Sequence, residues 1–392
     1  IYKIIQPDHI IFISYPYEWC FSELKNAALA TIEIQKQAMS HGMILKDASA
    51  YNIQFSKGKP LLIDSLSFEI YQENKPWLAY RQFCQHFLAP LALMASRDIR
   101  LGQLMKVYID GLPLDLASKM LPVQTWFKTY LLTHIHIHAK VQKRYSQTTS
   151  MDQHQQNLPL PKKEKAEPKV SSQALNALMN NLCHAISHMQ WKTPKTEWGE
   201  YYEDTTYSPK AMYHKKLLVE AYLSESNPQM VWDLGANNGL FSRIATAKNI
   251  DTIAFDIDAT AVEKNYLQML ENKETKILPL CLDLTNPSAS IGWANEERLS
   301  LLQRGPVDMA LALALIHHLA ISNNMPFSHI AAFLSKVCRF LIIEFIPKND
   351  SQVQRLLQNR EDIFHHYDQN YFENTFENYF SILKREKIID TQ

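Results

Sequence analysis

The sequence predicts an α/β fold for its second half, an open and mainly parallel sheet wound on both faces by helices, with a mainly helical block in front of it. Three observations carry this. Short apolar runs at 231–234, 252–258, 277–282, 307–315 and 339–346 alternate with helical periodicities, the pattern of parallel strands joined by crossover helices. Asp233, Asp256 and Asp283 fall at or near the ends of the first three runs, and in such sheets ligands gather at the carboxyl ends of the strands. Between about 145 and 170 apolar residues nearly vanish, which separates the two halves. The expected division is a helical domain over 1–145, a disordered linker over 146–171 and the α/β domain over 172–392.

A length of 392 residues supports two or three domains with sizeable cores. The 40 basic and 40 acidic residues cancel, which argues against a large nucleic-acid footprint or strong attraction to an anionic membrane. Five cysteines at 20, 84, 183, 281 and 338 are odd in number and never spaced C-x-x-C. They suggest neither a disulfide framework nor a thiolate metal site, and a reducing cytoplasm is the expected compartment. The longest apolar run, 309–316, is far too short to span a bilayer. The chain opens on Ile1, Tyr2 and Lys3 with no methionine and no secretory or transit pattern, so it reads as a piece whose true start lies upstream.

In the first block, residues 10–14 read as a strand and Phe21–Ser40 as a helix with apolar residues at 24, 28, 32 and 38. Asp47 and Asn52 follow, then Lys57, Gly58 and Lys59 in a hairpin-like turn, then Asp64. That spacing resembles the catalytic and metal-binding loops of kinase-like phosphotransferases, which place a carboxylate at the acceptor hydroxyl and an amide and second carboxylate on magnesium. Ser65, Leu66, Ser67 and Phe68 depart from that family's usual continuation, and no glycine-rich loop or partner lysine precedes. Local capping by Asp and Asn is the competing reading, with a kinase-like shape lacking catalysis between the two. Helical patterns continue over 77–94, with a break near Pro90, and over 97–108 and 123–143. His134, His136 and His138 invite a metal reading but lack a zincin glutamate or third ligand, so they read as cations near a helix end. His365 and His366 are read the same way.

After the linker, a helix over 172–190 leads to Trp198, Tyr201, Tyr202 and Tyr207 and a second helix over 209–223. Asp233, Gly235, Ala236, Asn237, Asn238 and Gly239 then form a tight turn between a strand and a helix, where unpaired N–H groups await a ligand. A dinucleotide fingerprint needs a middle glycine, but Asn237 stands there, and Asp233 would repel a diphosphate. A cationic amino-acid group suits Asp233 better, which points to S-adenosylmethionine. Asp256, about twenty residues beyond the glycines, suits a ribose diol, and Asp283 an adenine amino group. The run 307–315 ends in His317 and His318, and Glu344 lies near the end of the fifth run. Asn286, Pro287 and Ser288 precede the fourth strand, so they read as turn and cap chemistry, and a flipped-base amine is not indicated. Residues 351–357 and 371–380 read as helical, and 382–389 as a late strand. The absent antiparallel final strand suggests a truncated end as well.

The segments DLGANNG, AFDID, CLDLTNP, ALALIHHLAISNN and LIIEFIPKND resemble the successive motifs of Rossmann-like class I S-adenosylmethionine-dependent methyltransferases, over about 200–392. More narrowly, DLTNPSASIGWANEER with the last two segments resembles the nodulation-protein-related branch of that family. The resemblance implies S-adenosyl-L-methionine held by Asp233, Gly235, Ala236, Asn237, Gly239, Asp256, Ile257, Asp283 and Leu284, with no metal. It implies methyl transfer to a small or medium-sized acceptor. His317 and His318 are the candidate bases, with Glu344 behind them, and positioning without proton transfer is the alternative for the histidines. The competing function puts the business end in the first block, as a phosphotransferase or nucleotide-binding module. A cofactor-binding scaffold without catalysis is a third reading.

Overall fold

The computed structural model describes residues 6–140, 169–196, 207–358 and 360–389. Most of the expected linker, and Trp198, Tyr201 and Tyr202, lie outside the described residues. The chain divides into two compact units, Ile1–Thr193 and Pro194–Gln392.

The first unit is built on the helix Phe21–Ser40, which buries Leu24, Ala27, Ala28, Thr31, Ile32, Gln35 and Ala38 along one face. Strand β1 (Met43–Leu45) pairs antiparallel with β4 (Phe68–Ile70), and β2 (Ile53–Ser56) with β3 (Lys59–Leu62). Lys57 and Gly58 both take positive φ, 51° and 72°, as the tight hairpin turn between β2 and β3 requires. Residues 10–14 are not a strand. The Gln54 side chain accepts from the Ser14 N–H at 2.9 Å and donates to the Ser14 carbonyl at 2.8 Å. One amide thus satisfies the backbone groups that a neighbouring strand would have paired. At Pro90 the helical run does not break. A π turn, Cys84–Leu88, sits between Tyr80–Phe83 and Ala89–Ser96, and the widened ladder accommodates a residue that lacks an N–H.

The histidines of this unit are not cations at a helix end. His134 lies between the Tyr80 hydroxyl (2.6 Å) and Asn181 (2.7 Å), and His136 between Ser118 (2.7 Å) and Thr125 (2.9 Å). His138 stacks on Tyr80, with ring centroids 5.1 Å apart. Burial lowers the pKa of all three, which favours neutral rings that hydrogen-bond and pack. His365 and His366 are on the surface.

The helix Ser172–Ser187, expected to open the second domain, belongs to the first unit. Its apolar stripe of Leu175, Met179, Leu182, Ala185 and Ile186 is buried, and Lys25 of the first helix donates to the Ser187 and Met189 carbonyls near its end. The boundary therefore falls at 193/194, because this stripe is covered by the first unit.

The second unit contains one five-stranded parallel sheet, ordered β7-β6-β5-β8-β9. The strands are β5 (Met230–Leu234), β6 (Asp251–Asp256), β7 (Ile277–Cys281), β8 (Val307–Ala312) and β9 (Cys338–Ile343). The helices Leu240–Ala247, Ala259–Glu271 and Phe327–Val337 join successive strands or lead into them, and Pro209–Ser226 precedes β5. This is a doubly wound, Rossmann-like order. From β5 the chain proceeds through β6 to β7 on one side, and from β8 to β9 on the other. A crevice therefore opens at the carboxyl ends of β5 and β8. Val231, Trp232 and Leu234 are buried on both faces of the central strand, with Val219, Leu223, Phe241, Ala245, Met309 and Leu311 in the core around it.

Residues 382–389 form no strand. Lys384 is paired with Glu225 and Arg385 with Glu373, and the Ile389 N–H meets His214 at 3.3 Å. Side-chain ion pairs to helices hold this segment where ladder bonds were expected.

A cut in the apolar-poor stretch between 145 and 168 leaves the Ser172–Ser187 helix on the C-terminal piece while its buried stripe stays on the first unit. Limited proteolysis is therefore expected to give two pieces that co-elute in native size-exclusion chromatography and separate only in denaturant. Separate elution under native conditions would contradict the packing of this helix.

Candidate functional site

Strand β5 runs into a turn whose backbone is left-handed at Gly235 (φ 78°), Asn237 (φ 52°) and Gly239 (φ 81°). Asparagine is among the few residues that adopt this conformation readily, which explains how Asn237 replaces a glycine in the middle of the turn. The Gly235 and Ala236 N–H groups both reach the Phe255 carbonyl at 2.9 Å, tying the turn to β6. A Cβ on Gly239 would stand 2.6 Å from Asn265 Oδ1 and 2.7 Å from Arg243 Nη1. A side chain there would be strained at this φ and would have to displace Asn265 and Arg243. Arg243 donates to the Asn238 carbonyl at 2.6 Å and makes two 2.9 Å bonds to Glu274, which fixes the turn from outside.

Two buried acids flank this turn. Asp256, the last residue of β6, accepts the Asn237 N–H on Oδ2 at 2.7 Å and the Asp258 N–H on Oδ1 at 2.8 Å. Asp233, in β5, accepts the Ser242 hydroxyl at 2.6 Å. Burial pushes the pKa of each up to about 6, and the charge of Asp256 adds to the rise at Asp233. Ile257, next along the chain, is 63% exposed, an apolar surface beside a buried carboxylate. Asp283 lies just past β7, where Oδ1 accepts the Thr285 N–H (2.8 Å) and hydroxyl (2.6 Å), and half-buried Leu284 sits between them. Gly235, Ala236, Asn237 and Gly239 thus form one turn with Asp233 and Asp256 against it, while Ile257, Asp283 and Leu284 follow the neighbouring strands.

Beyond β8, His317 is buried and His318 half-buried, with ring centroids 4.0 Å apart. His317 Nδ1 is buried without a hydrogen-bond partner among the described residues. Burial lowers the pKa of His317 to about 3, helped by His318 and Lys215, and that of His318 to about 4. Both rings are therefore neutral at neutral pH.

Glu344 is not free to act as a base. Its carboxylate accepts Lys215 Nζ (2.7 Å), the Tyr207 hydroxyl (2.7 Å) and the Ala314 N–H (2.8 Å). The ion pair is internal, with side chains 5% and 9% exposed, and the Lys215 ammonium lies 4.7 and 4.9 Å from the ring centroids of Tyr207 and Phe241. Sequence reasoning passed over Lys215, Ser242 and Arg243. Lys215 had a readable signal, since Ala211, Lys215, Val219 and Leu223 recur every four residues and put a charge on the apolar stripe of a helix. Ser242 and Arg243 gave none, because both look like ordinary helix residues.

Asn286 closes a turn that begins at Asp283, its N–H bonding the Asp283 carbonyl at 3.1 Å, and Pro287 and Ser288 follow it in irregular backbone. In the first unit, Asp47 accepts the Ser49 N–H at 3.0 Å and Asp64 the Leu66 N–H at 2.8 Å. Asn52 reaches Asp64 through the Ser67 hydroxyl, at 3.1 and 2.7 Å. The first two are local capping bonds, whereas the last two link side chains and bring Asn52 and Asp64 together. Among the described residues no group of three His, Cys, Asp or Glu could hold a metal ion, and no helix is long and apolar enough to cross a membrane.

No family model matches the chain. It is 34% identical over 372 residues to the nodulation protein NoeA of Rhizobium meliloti (strain 1021), across 94% of this chain and 76% of that one. The chain belongs to the NoeA family. Partial likenesses to solved structures join this. The bifunctional kinase-methyltransferase WbdD aligns with a TM-score of 0.28 at 16% identity, over 41% of this chain and 33% of its own. Magnesium protoporphyrin IX methyltransferase (ChlM) of Synechocystis PCC 6803 aligns at 0.28 and 18% identity, over 41% and 70%. A putative O-methyltransferase of Nostoc punctiforme PCC 73102 aligns at 0.32 and 18% identity, over 50% and 57%. This NoeA-family chain thus spans only about a third of WbdD.

The raised pKa of Asp233 fixes a pH dependence. An acid whose folded pKa lies above its unfolded value near 3.8 holds its proton more tightly when folded, so stability falls as pH rises from about 4 through about 6. Asp233→Asn keeps an oxygen for Ser242 and removes the buried charge. Urea denaturation should find the ligand-free variant more stable than the parent at pH 7.5, by roughly 1–3 kcal/mol, and little different near pH 4. Equal stabilities at pH 7.5 would mean that Asp233 is not a buried charge.

Proposed function

We propose that the second unit is an S-adenosylmethionine-dependent methyltransferase acting on an oxygen or nitrogen nucleophile of a small or medium-sized acceptor. The observation that carries this is the pair of buried carboxylates gripping the glycine turn. A dinucleotide or nucleoside diphosphate would bring its negative charges to a turn already flanked by Asp233 and Asp256, and would find the Asn237 N–H already given to Asp256. S-adenosylmethionine carries an ammonium, a sulfonium and a ribose diol but no phosphate, and when bound it supplies a methyl group on positively charged sulfur.

The residues fit that group. Asp256 accepts the Asn237 N–H on one oxygen and the Asp258 N–H on the other, and a carboxylate so held retains acceptor capacity for a diol. Asp233 is a carboxylate suited to a cationic amino group, directly or through water. Gly235, Ala236, Asn237 and Gly239 give backbone without bulk, exposed Ile257 would offer apolar cover to a purine, and Asp283 and Leu284, just past β7, would read its edge.

Catalysis in this reading is alignment first. A neutral imidazole with a pKa near 3 takes a proton weakly, so the buried, unpartnered Nδ1 of His317 serves best as a hydrogen-bond partner that orients the acceptor. The phosphotransferase reading of the first unit is less favoured, since Asp47 and Asp64 each spend an oxygen on a local backbone N–H. The five free cysteines suit a reducing compartment, the cytoplasm. The direct test is incubation with methyl-labelled cofactor and fractionated cell extract, followed by mass spectrometry of the labelled product. No label transfer from any fraction would leave a binding protein.

Two variants sharpen this. Asp256→Ala loses a charge-assisted, two-oxygen contact and should weaken S-adenosylmethionine binding at least about tenfold by calorimetry. Unchanged affinity in a folded variant would remove Asp256 from the site. His317→Asn should lower turnover about 10- to 100-fold with cofactor affinity nearly intact, and the parent rate should show no histidine limb between about pH 6 and 8. Full turnover in His317→Asn would place the acceptor elsewhere.

A further inference from the structure

Glu344 lies one residue past β9 and is bound from three directions, by Lys215 of the helix Pro209–Ser226, by Tyr207 and by the Ala314 N–H after β8. Its own N–H donates to the Ala312 carbonyl at 3.1 Å, so the acid and the turn are also held in register through the sheet. Ala314 has φ 50°, a left-handed conformation that its Cβ disfavours and that something must hold. Leu315, next in the chain, packs on the glycine turn, with its Cδ1 3.3 Å from where a Cβ on Gly235 would stand. Two residues later comes His317.

We propose that Glu344 is a positioning residue whose bond to the Ala314 N–H holds the turn after β8 left-handed, and so sets Leu315 against Gly235 and His317 at the strand end. This rests on the second unit binding S-adenosylmethionine. Lys215 pins the carboxylate in place, and the rings of Tyr207 and Phe241 cover its ammonium. In this role Glu344 need not touch cofactor or acceptor, because its carboxylate is taken up by Lys215, Tyr207 and Ala314. It acts through backbone.

The test uses the full chain. Glu344→Gln keeps the shape but sets an amide nitrogen against one of three donors, and should weaken S-adenosylmethionine binding about tenfold by calorimetry. Ala314→Gly adopts the left-handed conformation without cost, so in the Glu344→Gln background it should recover most of that loss, while alone it leaves affinity within about twofold of the parent. A residue that served only overall stability would not be rescued by a glycine at 314. Should the unpaired Lys215 unfold Glu344→Gln, the charge-neutral Lys215→Met/Glu344→Gln chain carries the same comparison. Parent-like binding in folded Glu344→Gln, or a loss that Ala314→Gly does not restore, would overturn the proposal.

A second readout does not depend on the cofactor. The His317 ring resonance in NMR, recognised by its absence from His317→Asn, should shift in Glu344→Gln and return with Ala314→Gly. If the parent fails to bind S-adenosylmethionine, the functional reading falls while this arm still decides the positioning role. An unshifted ring resonance would end it.

Discussion

Asp233 and Asp256 are buried on either side of one turn, burial raises the cost of ionising each, and the charge of Asp256 adds to the cost at Asp233. Much of the surrounding architecture offsets that cost. Ser242 donates to the first acid, the Asn237 and Asp258 N–H groups donate to the second, and Lys215 supplies a buried positive charge that lowers the pKa of Asp233. The left-handed Asn237 is part of the same arrangement, since its N–H points to Asp256 in that conformation. The acids are unfavourable until something neutralises or hydrogen-bonds them, which is the physical ground for proposing a partly cationic, hydroxyl-bearing ligand.

The same logic governs the interior ion pair. A buried lysine and glutamate seldom gain net stability over apolar residues of similar size, because desolvation takes back most of the attraction. What the Lys215–Glu344 pair does gain is a fixed carboxylate that binds Tyr207 and Ala314 at once. Specific geometry in the turn after β8 is thus obtained at the expense of a simpler core.

The sheet and its turn were legible in the sequence because period, strand length and the spacing of Gly235, Gly239, Asp256 and Asp283 all depend on local chemistry. The parts that were not legible depend on tertiary partners. Residues 10–14 look like a strand until the Gln54 amide satisfies Ser14, and 382–389 look like one until Lys384 and Arg385 find their acids. His134 and His136 look like surface cations until Tyr80, Asn181, Ser118 and Thr125 close around them. Glu344 looked like a spare base because its three donors come from distant segments.

The helix Ser172–Ser187 bears on how the second unit can be handled by itself. A protein expressed from residue 172 onward would carry Leu175, Met179, Leu182, Ala185 and Ile186 with nothing from the first unit to cover them. Such a stripe invites self-association and poor solubility, which could be mistaken for an unstable catalytic domain. Starting at residue 194 leaves the stripe behind and keeps the whole of the parallel sheet.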